Sequence, residues 1–234
     1  MAGTRGRDVT DEVPRTGRAG TGQAGSGTTS ARRARTGTTS TRRASTAATQ
    51  VEVRERIVAA ADALYYARGI QAVGMDEVRT AAGVSLKRLY AEFPGKEQLV
   101  LAVLESRHHQ WEDGLGRAAA GVEDPRTRLL AIFDFLEEWF TDETFRGCGF
   151  INAFGELGAT SPAVAAAARE HKQTFQDHVA RLTRDAGGDE TLGAQLALLA
   201  EGAQTTAAIA GRADAARQAR RAAEVLIDAA LGAR

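Results

Sequence analysis

The sequence predicts an all-α protein in which a small N-terminal three-helix unit precedes a larger C-terminal helical part. Beyond the first fifty residues, apolar residues recur with the spacing of one helix face, as in Ile57, Ala61 and Leu64. No stretch of useful length alternates apolar and polar residues in the manner of a strand. Pro125 and Pro162 stand where long helical patterns begin, a position that proline favours.

The composition excludes several classes of protein. The chain has 234 residues, a formal net charge of zero and 43% hydrophobic residues, which is ordinary for a globular protein. Charges or glycines interrupt every apolar run before it reaches the length of a membrane span, and the N-terminus has no apolar signal segment. The one cysteine, Cys148, can form neither an internal disulfide nor a cysteine-based zinc site. We therefore expect a cytoplasmic protein with no membrane contact, metal or cofactor.

The charge is distributed unevenly along the chain. Residues 1–49 contain nine Arg against three acidic residues, together with eight Gly and sixteen Ser or Thr. So little apolar surface cannot offset the entropy lost on folding, and we expect this segment to be a disordered arm. A cationic arm can contact DNA phosphates, and the alternative is a solvated extension without a ligand.

The next segment, residues 50–112, has the pattern of a helix-turn-helix. A first helix over about 51–68 is followed by a short helix that Gly83 ends. Ser85 can cap the third helix, and a fourth helix begins at Lys96. In this motif the second helix of the pair enters the major groove of DNA.

The residues of that second helix suit contact with DNA. Its exposed positions offer the Ser85 hydroxyl, the cations Lys87 and Arg88 and the Tyr90 phenol, with no acidic residue before Glu92. Lys and Arg are preferred readers of guanine, and hydroxyls bind phosphate oxygens. The alternative is a structural helical hairpin that never binds DNA, because such hairpins occur in many helical proteins.

Residues 54–104 resemble the DNA-binding domain of the TetR family of transcriptional regulators. The pattern Ala-Gly-Val-Ser…Leu-Tyr…Phe…Lys-Glu…Leu, from Ala82 to Leu99, carries the resemblance. It implies a cytoplasmic homodimer on the bacterial nucleoid, usually a repressor, that reads a near-palindromic operator in double-stranded DNA. It also implies DNA-binding positions at Ser85, Leu86, Lys87, Arg88, Tyr90 and Lys96.

The helix-turn-helix departs from the family pattern at two places. Gly74 stands where members commonly have a hydroxyl that caps the second helix, so we expect a weaker cap. Lys87 and Arg88 replace a pair of small residues, which we expect to alter base preference more than binding itself.

The C-terminal part, residues 113–234, predicts helices over about 125–141, 162–186, 189–210 and 212–232. Aromatic residues concentrate between 133 and 154, and an apolar cavity with a few polar groups is typical of small-molecule sites. The resemblance implies effector binding here, so we expect a repressor that a small apolar or aromatic ligand releases. The alternative is an ordinary core. The candidate pocket residues are Phe133, Leu136, Trp139, Phe140, Phe150, Asn152, Phe154, Glu156, His171 and Phe175.

Other functions have weaker support in the sequence. A helical enzyme using Glu156 and His171, or a module that binds only protein, is the alternative to a DNA-binding regulator. His171 and His178 are seven residues apart, too far for a shared metal ion. Cys148 is interpreted as a small buried apolar group and not as a redox sensor.

The last two predicted helices carry the candidate dimer interface. One stripe contains Leu192, Leu196, Leu199 and Ala203, and the other contains Ala222, Val225, Leu226 and Ala229. Packing within the monomer could explain both stripes. The family resemblance implies a four-helix dimer interface, and two-fold symmetry would place two recognition helices one DNA turn apart.

Overall fold

A computed structural model describes residues 38–232, with side chains described from Thr49 onward. This part of the chain contains no strand, which confirms the all-α class. No helix within it is long and apolar enough to cross a membrane. The helices are α1 (Thr38–Arg68), α2 (Met75–Ala82), α3 (Leu86–Glu92), α4 (Lys96–Ala118), α5 (Pro125–Phe140), α6 (Gly149–Leu157), α7 (Pro162–Asp185), α8 (Glu190–Ala210) and α9 (Ala215–Leu231).

The first helix begins earlier than the sequence predicts. Its start is Thr38 and not residue 51, so residues 38–49 of the expected disordered arm are helical. Gly37 is the last glycine before this helix, and no proline interrupts the stretch that follows. Once the buried part of α1 is formed, extending it backward adds one hydrogen bond per residue without a new nucleus. The rest of the predicted arm lies outside the described residues.

The pair α2 and α3 forms a tight helix-turn-helix. Gly83 ends α2 with φ of +64°, a left-handed conformation that glycine adopts without strain, and its N–H donates to the Arg79 and Thr80 carbonyls. Gly74 has no side chain with which to cap α2. Instead the Glu77 carboxylate accepts a hydrogen bond from the Gly74 N–H over 3.1 Å. The start of α2 is therefore held from inside its first turn.

Two hydrophobic clusters stabilise the fold. The first cluster contains residues from the helices α1, α2, α3, α4 and α6 and from the beginning of α7. Its buried members include Ile57, Val78, Leu89, Phe93, Leu99, Phe150 and Ala153. The second joins the end of α4 with α5, α7, α8 and α9, and its members include Leu115, Leu129, Leu136, Phe175, Leu196 and Ile227. The helix-turn-helix, α6 and the beginning of α7 therefore contribute to one continuous apolar core.

Helix α4 connects the two clusters. It runs from Lys96 to Ala118, so the domain boundary expected between residues 112 and 113 falls inside it. Gly114 lies close to α5, because a Cβ at this position would overlap the Phe135 ring. The close approach places the second half of α4 within the C-terminal helices. A movement of α4 would consequently displace residues in both hydrophobic clusters.

Candidate DNA-binding surface and effector cavity

Helix α3 presents a face with exposed polar and apolar side chains. Ser85 caps it, since its Oγ accepts a hydrogen bond from the Arg88 N–H over 3.2 Å. Leu89 is fully buried and anchors the helix, whereas Leu86 and Tyr90 are each 46% exposed and Lys87 is exposed as well. An ammonium, a phenol and an apolar side chain on one short helix can contact base edges and phosphates together.

The Arg88 side chain is 40% exposed, but its guanidinium is engaged within α3. Its guanidinium forms an ion pair with Glu92 over 2.9 Å, and the Glu92 side chain is only 6% exposed. The Arg88 Nε is buried without a hydrogen-bond acceptor. Because Arg88 neutralises a buried carboxylate within α3, its geometry does not favour the base-reading role expected from the sequence.

Lys96 is partly buried at the first position of α4. Its Nζ lies 3.5 Å from the Gln71 carbonyl oxygen and 5.9 Å from the centre of the Tyr65 ring. Burial raises the pKa of Tyr65 to about 12, so the phenol stays neutral beside this ammonium. Lys96 therefore stands next to the loop between α1 and α2, at a helix start where a DNA phosphate would also be attracted.

The residues of the predicted effector pocket do not converge on one site. The members Phe133, Leu136, Phe140 and Phe175 are buried in the second hydrophobic cluster, where they pack as core. Phe154 is 54% exposed on α6. The exposed Asn152 donates from its amide nitrogen to the Arg146 carbonyl over 3.1 Å. Sequence periodicity could not separate core positions from cavity walls, because both are apolar.

Glu156 connects α6 to the DNA-binding part. Its two carboxylate oxygens accept hydrogen bonds from the backbone N–H groups of Ile70 and Gln71 over 2.9 and 2.8 Å. The Gln71 amide nitrogen donates in turn to the Glu156 carbonyl over 2.7 Å. Gly69 makes this contact possible, since its φ is +87° and a Cβ there would lie 3.3 Å from the carboxylate. Glu156 thus fixes the loop between α1 and α2 against α6.

A second contact reinforces this junction. The Tyr66 hydroxyl donates to the Gly147 carbonyl over 2.7 Å and accepts a hydrogen bond from the Arg146 N–H over 2.8 Å. Arg107 of α4 lies over the Tyr66 ring at 3.8 Å and forms an ion pair with Asp62 of α1. The segment before α6 is therefore bound to both α1 and α4 by polar groups that are partly shielded from water.

A cavity of about 300 Å³ lies among α4, α5, α6 and α7. Three of the predicted pocket residues, Trp139, Phe150 and His171, line it. Its wall also includes Trp111 and Phe135, which the sequence did not single out. Trp111 belongs to α4, which the sequence assigns to the DNA-binding part, so no spacing rule joined it to the other aromatic residues. The crossing of α4 and α5 brings them together.

His171 occupies the centre of this aromatic group. Its ring stacks on Phe150 with centroids 3.7 Å apart, and its Nδ1 lies 2.9 Å from Nδ1 of His108. Burial, together with the positive charge of the neighbouring Lys172, lowers the pKa of His171 to about 3. The imidazole is therefore neutral at physiological pH. Glu156 and His171 line separate cavities.

The two predicted dimer stripes have different environments. Leu192, Leu196 and Ala203 of α8 are buried in the monomer. On α9, Val225 is 68% exposed and Ala229 is exposed too, while the opposite face of that helix packs inward. A second exposed apolar residue, Leu198, lies on the outer side of α8. Single exposed apolar residues are ordinary, but a group on two adjacent helices indicates an interface.

The N-terminal helices match a family model described as bacterial regulatory proteins, tetR family, over residues 57–103. The match contains the C-terminal part of α1 from residue 57, both helices of the helix-turn-helix and the first turns of α4. The DNA-binding part of the chain is therefore of the TetR type.

Curated relatives of this chain carry regulator names. It is 34% identical over 141 residues to the HTH-type transcriptional activator FasR of Mycolicibacterium smegmatis, covering 58% of this chain and 61% of that protein. It is also 34% identical over 91 residues to the HTH-type transcriptional regulator TtgR of Pseudomonas putida, covering 36% and 43%. The chain therefore spans about three fifths or less of the curated relatives it matches.

Solved structures match over a larger share. A TetR-family transcriptional regulator from Streptomyces coelicolor is 26% identical with a TM-score of 0.71, covering 77% of this chain and 97% of that one. A TetR-family regulator from Streptomyces avermitilis is 28% identical with a TM-score of 0.66, covering 76% and 97%. The C-terminal helices of this chain thus have the arrangement found in these regulators.

Proposed function

We propose that this protein is a dimeric transcriptional regulator that binds operator DNA in the bacterial cytoplasm through α3 and responds to a small molecule. The exposed face of α3 carries the proposal. Lys87, Tyr90 and Leu86 project from a helix that Ser85 caps and that Leu89 anchors in the core. Among these side chains Lys87 is the candidate base reader, because its ammonium is exposed, whereas Arg88 is paired with Glu92.

A dimer would join two such faces on one operator. The outer surface of α8 and α9, with Leu198, Ala222, Val225 and Ala229, supports an interface between two copies. An isologous contact of this kind relates the two α3 helices by a two-fold axis, which a near-palindromic operator requires. Val225→Glu would place two like charges in that interface, and we expect monomers in sedimentation analysis and a loss of operator affinity. Phe154→Glu on α6 is the matched control that leaves the dimer intact.

The response to a small molecule is proposed from the junction around α6. The cavity is lined at one end by Gly149 and Phe150, the first residues of α6, and the other end of α6 carries Glu156. A ligand that moves the start of α6 would disturb the hydrogen bonds of Glu156 to Ile70 and Gln71. We propose that the ligand binds the form of the dimer with low DNA affinity, since only unequal affinity for the two forms can shift their populations.

Selection from a random DNA pool tests the DNA-binding function. The full chain should enrich a two-fold-related sequence, and its affinity is then measured on that sequence and on a scrambled version. Lys87→Ala should lower affinity for the selected sequence by about tenfold or more and reduce discrimination. Arg184→Ala removes one exposed cation from the end of α7 and is the control, which should change neither affinity. If no sequence is enriched, the proposed function is wrong.

A further inference from the structure

Helix α3 is short, and its C-terminal end has no cap of its own. It has only seven residues, and a helix of this length is not stable by itself in water. Ser85 caps its start, and Leu89 anchors its middle in the core. Phe93 follows the helix in an extended conformation, because Pro94 comes next, and no glycine ends the helix. The direction of the exposed face of α3 therefore depends on the contacts that hold this end.

Arg54 of α1 lies at the C-terminal end of α3. Its guanidinium carbon is 4.4 Å from the centre of the Phe93 ring, and its Nη1 lies 3.5 Å from the Glu92 carbonyl oxygen. A guanidinium over an aromatic face is attracted by the quadrupole of the ring. The carbonyl groups in the last turn of a helix have no partner within the helix and attract positive charge. One side chain of α1 thus contacts the last residue of α3 and the residue that follows it.

The two residues that Arg54 contacts are buried, whereas Arg54 itself is exposed. Phe93 is 1% exposed and belongs to the first hydrophobic cluster. The carboxylate of Glu92 is paired with Arg88 of the same helix. Replacement of Arg54 by a small residue consequently leaves no buried charge unpaired and opens no cavity in the core. We expect it to change the position of α3 more than the stability of the whole fold.

We infer that Arg54 is a positioning residue for the reading of DNA by α3. Through Phe93 it fixes the end of α3 against α1, and this sets the direction in which Lys87 and Tyr90 project. Tyr90 lies within one turn of that end, so a tilt of the end moves the phenol. The inference adds a residue of α1 to the DNA-binding surface and rests on the proposed function for its effect on DNA.

Hydrogen exchange of single amides tests the contact without any DNA. The Phe93 N–H donates to the Leu89 carbonyl over 2.9 Å and reports on the last turn of α3. In Arg54→Ala its exchange should become about two- to fivefold faster relative to that of the Val78 N–H in α2, the internal reference. Arg56→Ala removes an exposed cation from the same helix and is the matched control, which should leave this ratio unchanged. An unchanged ratio in Arg54→Ala would overturn the inference.

Binding to selected and to scrambled DNA separates positioning from direct contact. Because a positioning residue acts through α3, Arg54→Ala should lower the discrimination between the two sequences by about two- to fivefold, whereas Arg56→Ala should preserve it. The slope of log affinity against log salt concentration should stay close to that of the wild type. A direct phosphate contact by Arg54 would instead weaken binding to both sequences alike and reduce the slope by about one. That result would contradict the inference.

A double variant assigns the effect to the ring. Phe93→Leu keeps an apolar side chain in the core but removes the aromatic face, and circular dichroism checks that the variant is folded. In this background Arg54→Ala should have a smaller effect on discrimination than it has in the wild type, since the attraction to the ring is already lost. An equal effect in both backgrounds would show that Arg54 does not act through Phe93, and the inference would be wrong.

The two kinds of measurement also separate this inference from the proposed function. If no DNA sequence is enriched, the proposed function is wrong, while the exchange of the Phe93 amide still tests whether Arg54 holds the end of α3. If a sequence is enriched but Arg54→Ala discriminates as the wild type does, the DNA-binding function stands and the positioning role of Arg54 is overturned.

Discussion

The α3 surface and the aromatic cavity differ in how their residues come together. The exposed side chains of α3 lie within six residues of one another, and a cap and a buried leucine fix their directions. The cavity takes its walls from α4, α5, α6 and α7, and its lining residues extend from Arg107 to His171, about 65 residues of chain. A local surface can be recognised from spacing, whereas a site made by crossing helices depends on packing angles that no short pattern contains.

The largest expected effect tests whether Arg88 belongs to the DNA-binding surface of α3. Arg88→Ala leaves the Glu92 carboxylate buried without its partner, and we expect the free energy of unfolding to fall by about 2–3 kcal/mol. Lys87→Ala, next to it but exposed, should change stability by less than about 0.5 kcal/mol. Urea unfolding followed by circular dichroism measures both. Glu92→Gln added to Arg88→Ala should restore part of the loss. If Arg88→Ala and Lys87→Ala were equally stable, the ion pair with Glu92 would not stabilise the fold, and Arg88 would again be a candidate for reading bases.

The next effect concerns the cavity and its pH dependence. The pKa of His171 is about 3 in the folded chain and about 6.5 in the unfolded chain. At a pH between these two values the imidazole is protonated in the unfolded state but not in the folded state. Stability should therefore fall as the pH is lowered from about 6.5, by about 1 kcal/mol per pH unit. Burial also lowers the pKa of His178, which acts in the same direction.

Thermal or urea unfolding between neutral and mildly acidic pH measures this slope. His171→Gln should flatten it, while His109→Gln, at an exposed position beside His108, should leave it unchanged. A slope that survives the first substitution would show that other groups govern acid stability. His171 would then contribute no more to the dependence of stability on pH than other titratable groups do.

A smaller effect tests the connection between the two regions. Glu156→Gln keeps one acceptor for the N–H groups of Ile70 and Gln71 but removes the charge, and we expect a loss of about 1 kcal/mol in stability. It should also weaken the effect of the cavity ligand on DNA affinity, since the loop between α1 and α2 is then held less firmly. Glu143→Gln, an exposed carboxylate before α6, is the control. Unchanged coupling would mean that α4 alone transmits the response.

The smallest effect separates positioning from reading within the DNA-binding part. Lys96→Ala should weaken binding to selected and scrambled DNA alike, by less than about 1 kcal/mol. It should reduce the slope of log affinity against log salt concentration by about one. Titrations at several salt concentrations measure both quantities. A loss confined to the selected sequence would instead place Lys96 among the base readers.

Much of the fold could be predicted from the sequence alone. The helices α2, α3, α5, α7, α8 and α9 lie close to their expected ranges, because Gly83, Ser85, Pro125 and Pro162 act on the backbone within one turn, whereas no range was predicted for α6. The start of α1 was wrong by thirteen residues. The composition of residues 38–49 favoured disorder. Composition alone cannot show that a helix that has already formed can be extended at little cost in free energy.

The residues that carry function were predicted unevenly. The pattern from Ala82 to Leu99 predicted a DNA-binding domain of the TetR type, and the family model confirmed it over residues 57–103. The effector pocket list combined core residues such as Leu136 with true cavity residues such as Trp139, because both are apolar and follow the same period. Trp111 was absent from the list because its helix was assigned to the other domain.

The sequence by itself determined the helical class, the helix-turn-helix and its TetR type, since each depends on residues that act on their neighbours in the chain. Only the tertiary structure decided that Arg88 serves a buried carboxylate and that Glu156 fixes the loop at Ile70 and Gln71. It also placed Trp111 at the wall of a cavity. The physical reason is that burial and pairing depend on which helices cross, and residues far apart in the chain meet only there.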